Sequence, residues 1–285
     1  MTISLAQHGD FTTADPFYSG TIEQTLNDSL EAFLPLVRAL KRDLDAGAGR
    51  LWRDVRHSHG FGIYFRGQNK ISDDLLPSAG RPGHTYSVEQ ERNFLHRFRR
   101  RSYGHYGRIL TDWETLFLAR HHFLPCRLLD WSSNPLVGLF WACYGERCDD
   151  QDGAVWVLVR QPDERWDLNV FDTSLFNYKY GGDFAFLVPG VKLIFPFNVS
   201  PRITAQACVF TYQDSPQTPL HAYDPASYTR ENFDVFHFQK WRVPAECKRK
   251  LRIDLNDVGI NIQSMYPDLQ GLGEGIPQIE ALRRP

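Results

Sequence analysis

The segment CRLLDWSSNPLVGLFWAC, residues 126–143, constrains the fold more than any other part of the chain. Pro125 stands before it and a helix start lies within it, so CRLLDW reads as a short extended piece. Ser133 or Asn134 can cap a helix, and Pro135 sits where proline suits the first helical turn. Leu136, Leu139, Phe140 and Cys143 then recur at helical spacing and predict a buried face. Strand, turn and helix in such quick succession commit the chain to a mixed fold.

The two periodicities alternate elsewhere as well. Leu26, Leu30, Phe33, Leu34, Val37, Leu40 and Leu44 predict an amphipathic helix from Thr21 to about Asp45. Pro35 is expected to kink or split it, and DAGAG to end it. HGFGIYFRGQNK (59–70) predicts a strand, and the Pro- and Gly-rich LLPSAGRPG (75–83) a loop. Ser87 with Gln90, and Thr111 with Glu114, form capping boxes that open two helices, the second running towards His121 and His122. GAVWVLVR (153–160), KLIFPF (192–197) and AQACVFTYQ (205–213) predict further strands. VPAECKRKLRIDLNDVGIN predicts a helix ended by Gly259, and MYPDLQGLGEGI turns with a short helix. Residues 1–20 show no apolar periodicity and read as an arm or loop.

Several function classes are disfavoured by composition. A net charge of −2 argues against a surface that grips nucleic acid all over, although HRFRRR (96–101) and CKRKLR (247–252) concentrate positive charge locally. The five cysteines are odd in number and contain no CxxC pair, which suggests neither a disulfide framework nor a metal site. No signal-peptide pattern and no apolar run of about 18 residues is present. These features predict a cytoplasmic protein with no metal and no membrane partner.

The strand at 59–70 raises a chemical question, because an apolar run delivers Arg66, followed by Gly67 and Gln68. An unpaired buried charge is costly, so Arg66 needs a partner. One candidate is a carboxylate such as Asp130, a core ion pair without chemistry. The other is a ligand phosphate or carboxylate, gripped by the guanidinium fork while Gly67 lets it approach the backbone. Asp130, Trp131, Ser132, Ser133 and Asn134 crowd the start of a helix, where free N–H groups favour an anion. The bland alternative for Ser133 is a cap, and for His121 or His122 a cation at a helix C-terminus.

The blocks YFRGQ, LLPSAGR, ARHHFLPCRLLDWSSNPLVGLFWAC, AQACVFTY and GINIQSMYPDLQGL together resemble the FRG domain family of bacteria and phages, over about residues 55–275. Residues 1–54 then form an N-terminal arm and helix, and 276–285 a tail. Three positions depart from the family's usual residues: Arg120 stands for Gln, Phe123 for Gly and Cys126 for Thr. The family plan looks like the ADP-ribosyltransferase fold. It implies an α+β architecture built on a mixed, largely antiparallel split β-sheet.

The resemblance implies NAD as substrate, displacement of nicotinamide, and ADP-ribose passed to a protein, a nucleic acid or water, as in a toxin or anti-phage effector. Arg66 fits the phosphate-binding role, Ser132 the ribose and Trp131 a stacking platform. Gln206 stands where a carboxylate is expected beside the scissile bond, and Asp130 is a second candidate for that charge. Gly67, Gln68, Arg81, His121, Arg127, Ser133 and Asn134 complete the implied ligand-binding set. Arg66, Asp130, Ser132 and Gln206 are expected to line one cleft. A non-catalytic nucleotide- or partner-binding module and a nucleic-acid-associated protein are the alternatives.

Overall fold

The computed structural model describes residues 22–51, 62–84, 86–160, 190–223 and 236–283. The arm expected over residues 1–20, and His59–Phe61 of the first strand, lie outside them. Seven strands and eight α-helices appear among the described residues. In chain order they are β1 (Ile22–Thr25), α1 (Leu30–Leu51), β2 (Gly62–Gln68), α2 (Val88–Tyr106), α3 (Asp112–His121), β3 (Leu128–Ser132), α4 (Pro135–Cys143) and β4 (Gly153–Arg160). There follow β5 (Val191–Ile194), α5 (Pro201–Ala205), β6 (Cys208–Gln213), β7 (Phe236–Val243), α6 (Lys248–Asp257), α7 (Ile262–Met265) and α8 (Leu269–Leu282).

The chain divides into two compact units that are interleaved in sequence. Unit 1 takes the stretches up to Asp73, from Ser132 to Arg165 and from Val235 onward; unit 2 takes Asp74–Trp131 and Trp166–Asp234. The expected α+β class is present, with a mixed and largely antiparallel sheet. In unit 1 the strand order is β1-β7-β4-β2, with β1 parallel to β7 and the other neighbours antiparallel. β4 is buried from Gly153 to Val159 because both its edges are paired and both its faces are covered.

One face of that sheet makes the unit 1 core. Phe65, Val155, Val157, Val159, Trp241 and Val243 pack there with Phe33 and Val37 of α1, Leu139 and Phe140 of α4, and Leu251 and Leu255 of α6. The rings of Phe33 and Phe65 meet Trp241 edge-on at 6.1 and 6.4 Å. The helical spacing in α4 does mark a buried face, since Leu139 and Phe140 are 0% and 5% exposed.

Unit 2 has its own core. Trp113, Leu116 and Phe117 of α3 pack on Leu128, Ile194, Phe210 and Tyr212, which come from β3, β5 and β6. β5 and β6 are antiparallel, and β6 lies next to β3. Phe117 and Phe210 stack at 5.3 Å. Both capping boxes form as the sequence predicts, Ser87 with Gln90 and Thr111 with Glu114.

The structure corrects several elements. The first helix begins at Leu30, not Thr21, because Ile22–Thr25 joins β7 as a strand. It neither splits at Pro35 nor ends at DAGAG, and runs to Leu51. Pro35 falls near the N-terminus, where few intrahelical bonds are lost, and buried Phe33, Val37 and Leu40 hold the helix to the core. β7 gave no strand signal, since FHFQKWRV mixes charges with aromatics and only its pairing with β4 makes it a strand. The predicted strand at 205–213 begins three residues late, because Pro201–Ala205 is a short helix. The C-terminal short helix is α8, which crosses the 275/276 boundary expected for the tail.

Phe123, which follows the last turn of α3, adopts φ +62, in the left-handed region where glycine is at ease. The Gly usual in the resembling family thus has a backbone reason at this position. Phe123→Gly is expected to raise stability by roughly 0.5–1 kcal/mol, read as a higher urea midpoint at unchanged slope. A loss of stability would mean that the Arg202 guanidinium, 5.9 Å from the ring centre, outweighs the strain.

Candidate functional site

The strand β2 presents its residues by simple alternation. Phe65 and Gly67 point to the unit 1 core, and Tyr64, Arg66 and Gln68 to the opposite face. A Cβ placed on Gly67 would lie 2.1 Å from the Gly138 carbonyl oxygen and 2.2 Å from the Ala142 nitrogen. The glycine therefore admits the backbone of α4, not a ligand as its position beside Arg66 suggested.

On the opposite face Arg66, Trp156 and Lys240 stand directly across from one another on β2, β4 and β7. The Lys240 ammonium lies 4.8 Å from the centre of the Trp156 ring and donates to the Ile71 carbonyl at 2.5 Å. The Trp156 Nε1–H donates to Gln68 Oε1 at 2.5 Å. Two cations thus flank one buried indole, whose position is locked by Gln68. Lys240 and Trp156 escaped the sequence reading. The two-residue alternation of FHFQKWRV carries the signal once β7 is known to be a strand.

The start of α4 belongs to the same unit. Asn134 is the cap, with its Oδ1 accepting from the Leu136 N–H at 3.0 Å, while Ser132 Oγ accepts from the Asn134 N–H at 3.0 Å. Ser133 is exposed and Ser132 is buried, paired across from Phe65. Ser132 and Asn134 therefore brace the turn.

The other expected residues lie in unit 2. Asp130 accepts two hydrogen bonds from Arg120, one of them from Nε at 2.9 Å. Its guanidinium neighbour is thus a departing position of the resembling motif. Gln206 is buried and closes α5, just before Ala207, which adopts φ +46. Gln206 lies in a turn, not on the strand where it was expected. Arg202 donates to the His121 carbonyl at 3.2 Å.

His121 is 7% exposed, its ring sits 5.8 Å from that of Phe210, and neither ring nitrogen has a hydrogen-bond partner among the described residues. Burial holds its pKa down to about 4, from an ordinary value of 6.5, against the opposing pull of Asp130. It is therefore a neutral imidazole at pH 7, not the helix-end cation of the bland alternative. Between pH 6.5 and about 4 the unfolded chain takes up a proton that the folded chain refuses. The contribution of His121 is thus fully present above pH 6.5 and is lost as the pH falls towards 4. Urea titrations across this range should show a shallower pH dependence for His121→Phe than for wild type. Parallel curves would contradict the assignment.

Three further residues named from the sequence have structural partners in unit 2. Arg127 is 1% exposed and grips Glu91 with two bonds, Nε to Oε2 at 3.0 Å and Nη2 to Oε1 at 2.9 Å. Trp131 is also 1% exposed and its Nε1–H donates to Thr211 Oγ1 at 3.0 Å, so its ring is closed to a stacking ligand in this conformation. Arg81 is exposed and donates to the Leu76 carbonyl at 3.2 Å. Among the described residues no cluster of three or more His, Cys, Asp or Glu is placed to hold a metal ion, and no helix is long and apolar enough to cross a membrane.

The span from β2 to the end of α4 contains the Phe65-Arg66-Gly67 corner, the Arg127–Glu91 pair and the strand–turn–helix at 128–143. Residues 62–151, which enclose that span, match the family model of the FRG domain. The chain carries an FRG domain. No curated protein and no solved structure matches the chain. Within the FRG domain the three residues of the Phe-Arg-Gly motif divide their work: Phe65 fills the core, Gly67 admits α4, and Arg66 alone faces the other side of the sheet.

Proposed function

We propose that this FRG domain protein binds NAD or a related nucleotide and displaces nicotinamide from it, as an ADP-ribosyltransferase-like enzyme of the toxin or anti-phage class. The observation that carries the reading is the row Arg66–Trp156–Lys240. A planar guanidinium and a point-charge ammonium on one rigid sheet face suit the two adjacent phosphates of a dinucleotide. Sheet residues hold such groups more precisely than loop residues do. Gln206 and Asp130, both of unit 2, are proposed on the family resemblance alone for the positive charge that develops as the glycosidic bond breaks. The product ADP-ribose then passes to a macromolecular acceptor or to water.

A second reading, a nucleotide binder without turnover, is favoured by one observation: Asp130 is already engaged by Arg120, and Gln206 carries no charge. The same experiment separates the two. Full-length protein is incubated with NAD, and binding, free nicotinamide and mass shifts on candidate acceptors are followed. Arg66→Ala is expected to weaken NAD binding by ~10–100-fold, with Arg66→Lys restoring only part of it. Gln206→Ala is expected to lower turnover while binding stays near wild type. Binding without nicotinamide release supports the second reading, and absence of both removes the first.

A further inference from the structure

The chain has two basic runs, and the structure treats them differently. In the run 247–252 three of the four cations, Lys248, Lys250 and Arg252, are tied down within the fold. Lys248 is buried and donates to the carbonyls of Asn69 and Cys148, Lys250 bonds Asp254, and Arg252 pairs with Asp149. In the run 96–101 Arg99 pairs with Asp112. Arg97, Arg100 and Arg101 are exposed on α2 and have no ion partner among the described residues.

Successive helical residues are about 100° apart, so His96, Arg97, Arg100, Arg101 and Tyr103 share one arc of about 160°. Gly104 lies inside that arc, and a Cβ added there would meet nothing within 4 Å, which leaves the stripe open at its centre. Glu91 and Ser102, both buried, mark the opposite side. Leu95 also turns inward, against the unit 2 core. From Arg92 to Tyr106 the helix contains no acidic residue, and Tyr103 and Tyr106 are 53% and 41% exposed.

We propose that this face of α2 binds single-stranded nucleic acid through its phosphate backbone, without sequence preference. The charges are arginines, whose forks suit phosphate oxygens, and exposed Tyr103 in the same stripe offers a face on which a base stacks. A membrane surface is a poorer fit, because the stripe carries no Leu, Ile, Trp or Phe to enter the acyl region. In a chain of net charge −2, an unneutralised arginine cluster is a local field that a protein has no structural need to keep. The proposal stands apart from the NAD reading, since it uses none of the same residues.

The test is fluorescence anisotropy of full-length protein with labelled oligo(U) and oligo(dT) of equal length, over a range of salt. Wild type should bind, with affinity falling as salt rises. The triple variant Arg97→Gln, Arg100→Gln, Arg101→Gln should bind at least ~10-fold more weakly, with a log–log salt slope reduced by about 2, the value for three lost phosphate contacts on a single strand. Tyr103→Ala should weaken binding without changing that slope, and Lys250→Gln in the run 247–252 should leave binding and slope unchanged. All these positions are exposed, and circular dichroism checks that each variant folds. A preference between the two oligonucleotides tells RNA from DNA. No salt-dependent binding by wild type, wild-type behaviour of the triple variant, or binding to phosphatidylserine vesicles in place of oligonucleotides would overturn the proposal.

Discussion

Gly67→Ala is expected to destabilise the protein by about 3 kcal/mol or more, at the upper end of what one added methyl does in a packed core. The new Cβ would meet the Gly138 carbonyl oxygen at 2.1 Å and the Ala142 nitrogen at 2.2 Å, and both are backbone atoms of α4. A flexible side chain can rotate away from such a contact; a helix backbone cannot. Relief requires α4 to lift from β2, which would open the contacts of Leu139, Phe140 and Phe65 in the unit 1 core. Gly104→Ala is the matched control, because its Cβ meets nothing within 4 Å and an exposed helical position gains roughly 0.5–1 kcal/mol from the change. Urea denaturation of both variants gives the comparison. A Gly67→Ala protein as stable as wild type would show that α4 does not seat on β2 as closely as described. Loss of ligand binding with stability intact would return the glycine to the ligand-approach role that its sequence position suggested.

The second large effect is expected at Arg127. Its guanidinium and the Glu91 carboxylate are 2% and 3% exposed and joined by two hydrogen bonds. Arg127 also donates to Tyr212 and to the Asp214 carbonyl, at 3.3 and 3.1 Å. Burial raises the pKa of Glu91 and the arginine opposes that rise, so the carboxylate depends on its partner to stay ionised. Arg127→Ala leaves Glu91 without a counter-charge in a closed core, and should cost about 3–5 kcal/mol. Replacing both members, Arg127→Leu with Glu91→Leu, should recover much of that loss, since no orphaned charge remains. A double-mutant cycle by thermal or urea unfolding measures it. Near-additive losses would show that the two side chains are not coupled. Ligand binding that falls in Arg127→Ala without loss of stability would return Arg127 to the ligand-binding set.

The contrast between these residues shows where local information ended. Arg66 and Arg127 both stand in apolar strands and look alike in sequence. Arg127 meets Glu91, which is distant in sequence, so only the tertiary fold shows that its charge is already matched. Gly67 looked like a gap for a ligand because it follows Arg66, and the helix that fills the gap is coded far downstream. Lys240 could not be assigned at all before β7 was placed. Phe123 illustrates the reverse case. Its departure from a family glycine was visible in the sequence, and the structure supplied the cause in its backbone angle.

By itself the sequence determined the local elements whose signals lie within a few residues. The capping boxes at Ser87 and Thr111, the Asn134–Pro135 helix start, β4 with its alternating valines, and the FRG blocks that fall within residues 62–151 all belong here. These features are read correctly because side chain and backbone partner are neighbours along the chain. The tertiary structure decided what depends on distant partners: that Ile22–Thr25 and Phe236–Val243 are strands, that Gly67 is a helix seat, that Arg127 and Arg120 are paired, and that Arg66 shares a sheet face with Trp156 and Lys240. The physical reason is that strand pairing and charge neutralisation are set by groups far apart along the chain, whose meeting no local pattern encodes.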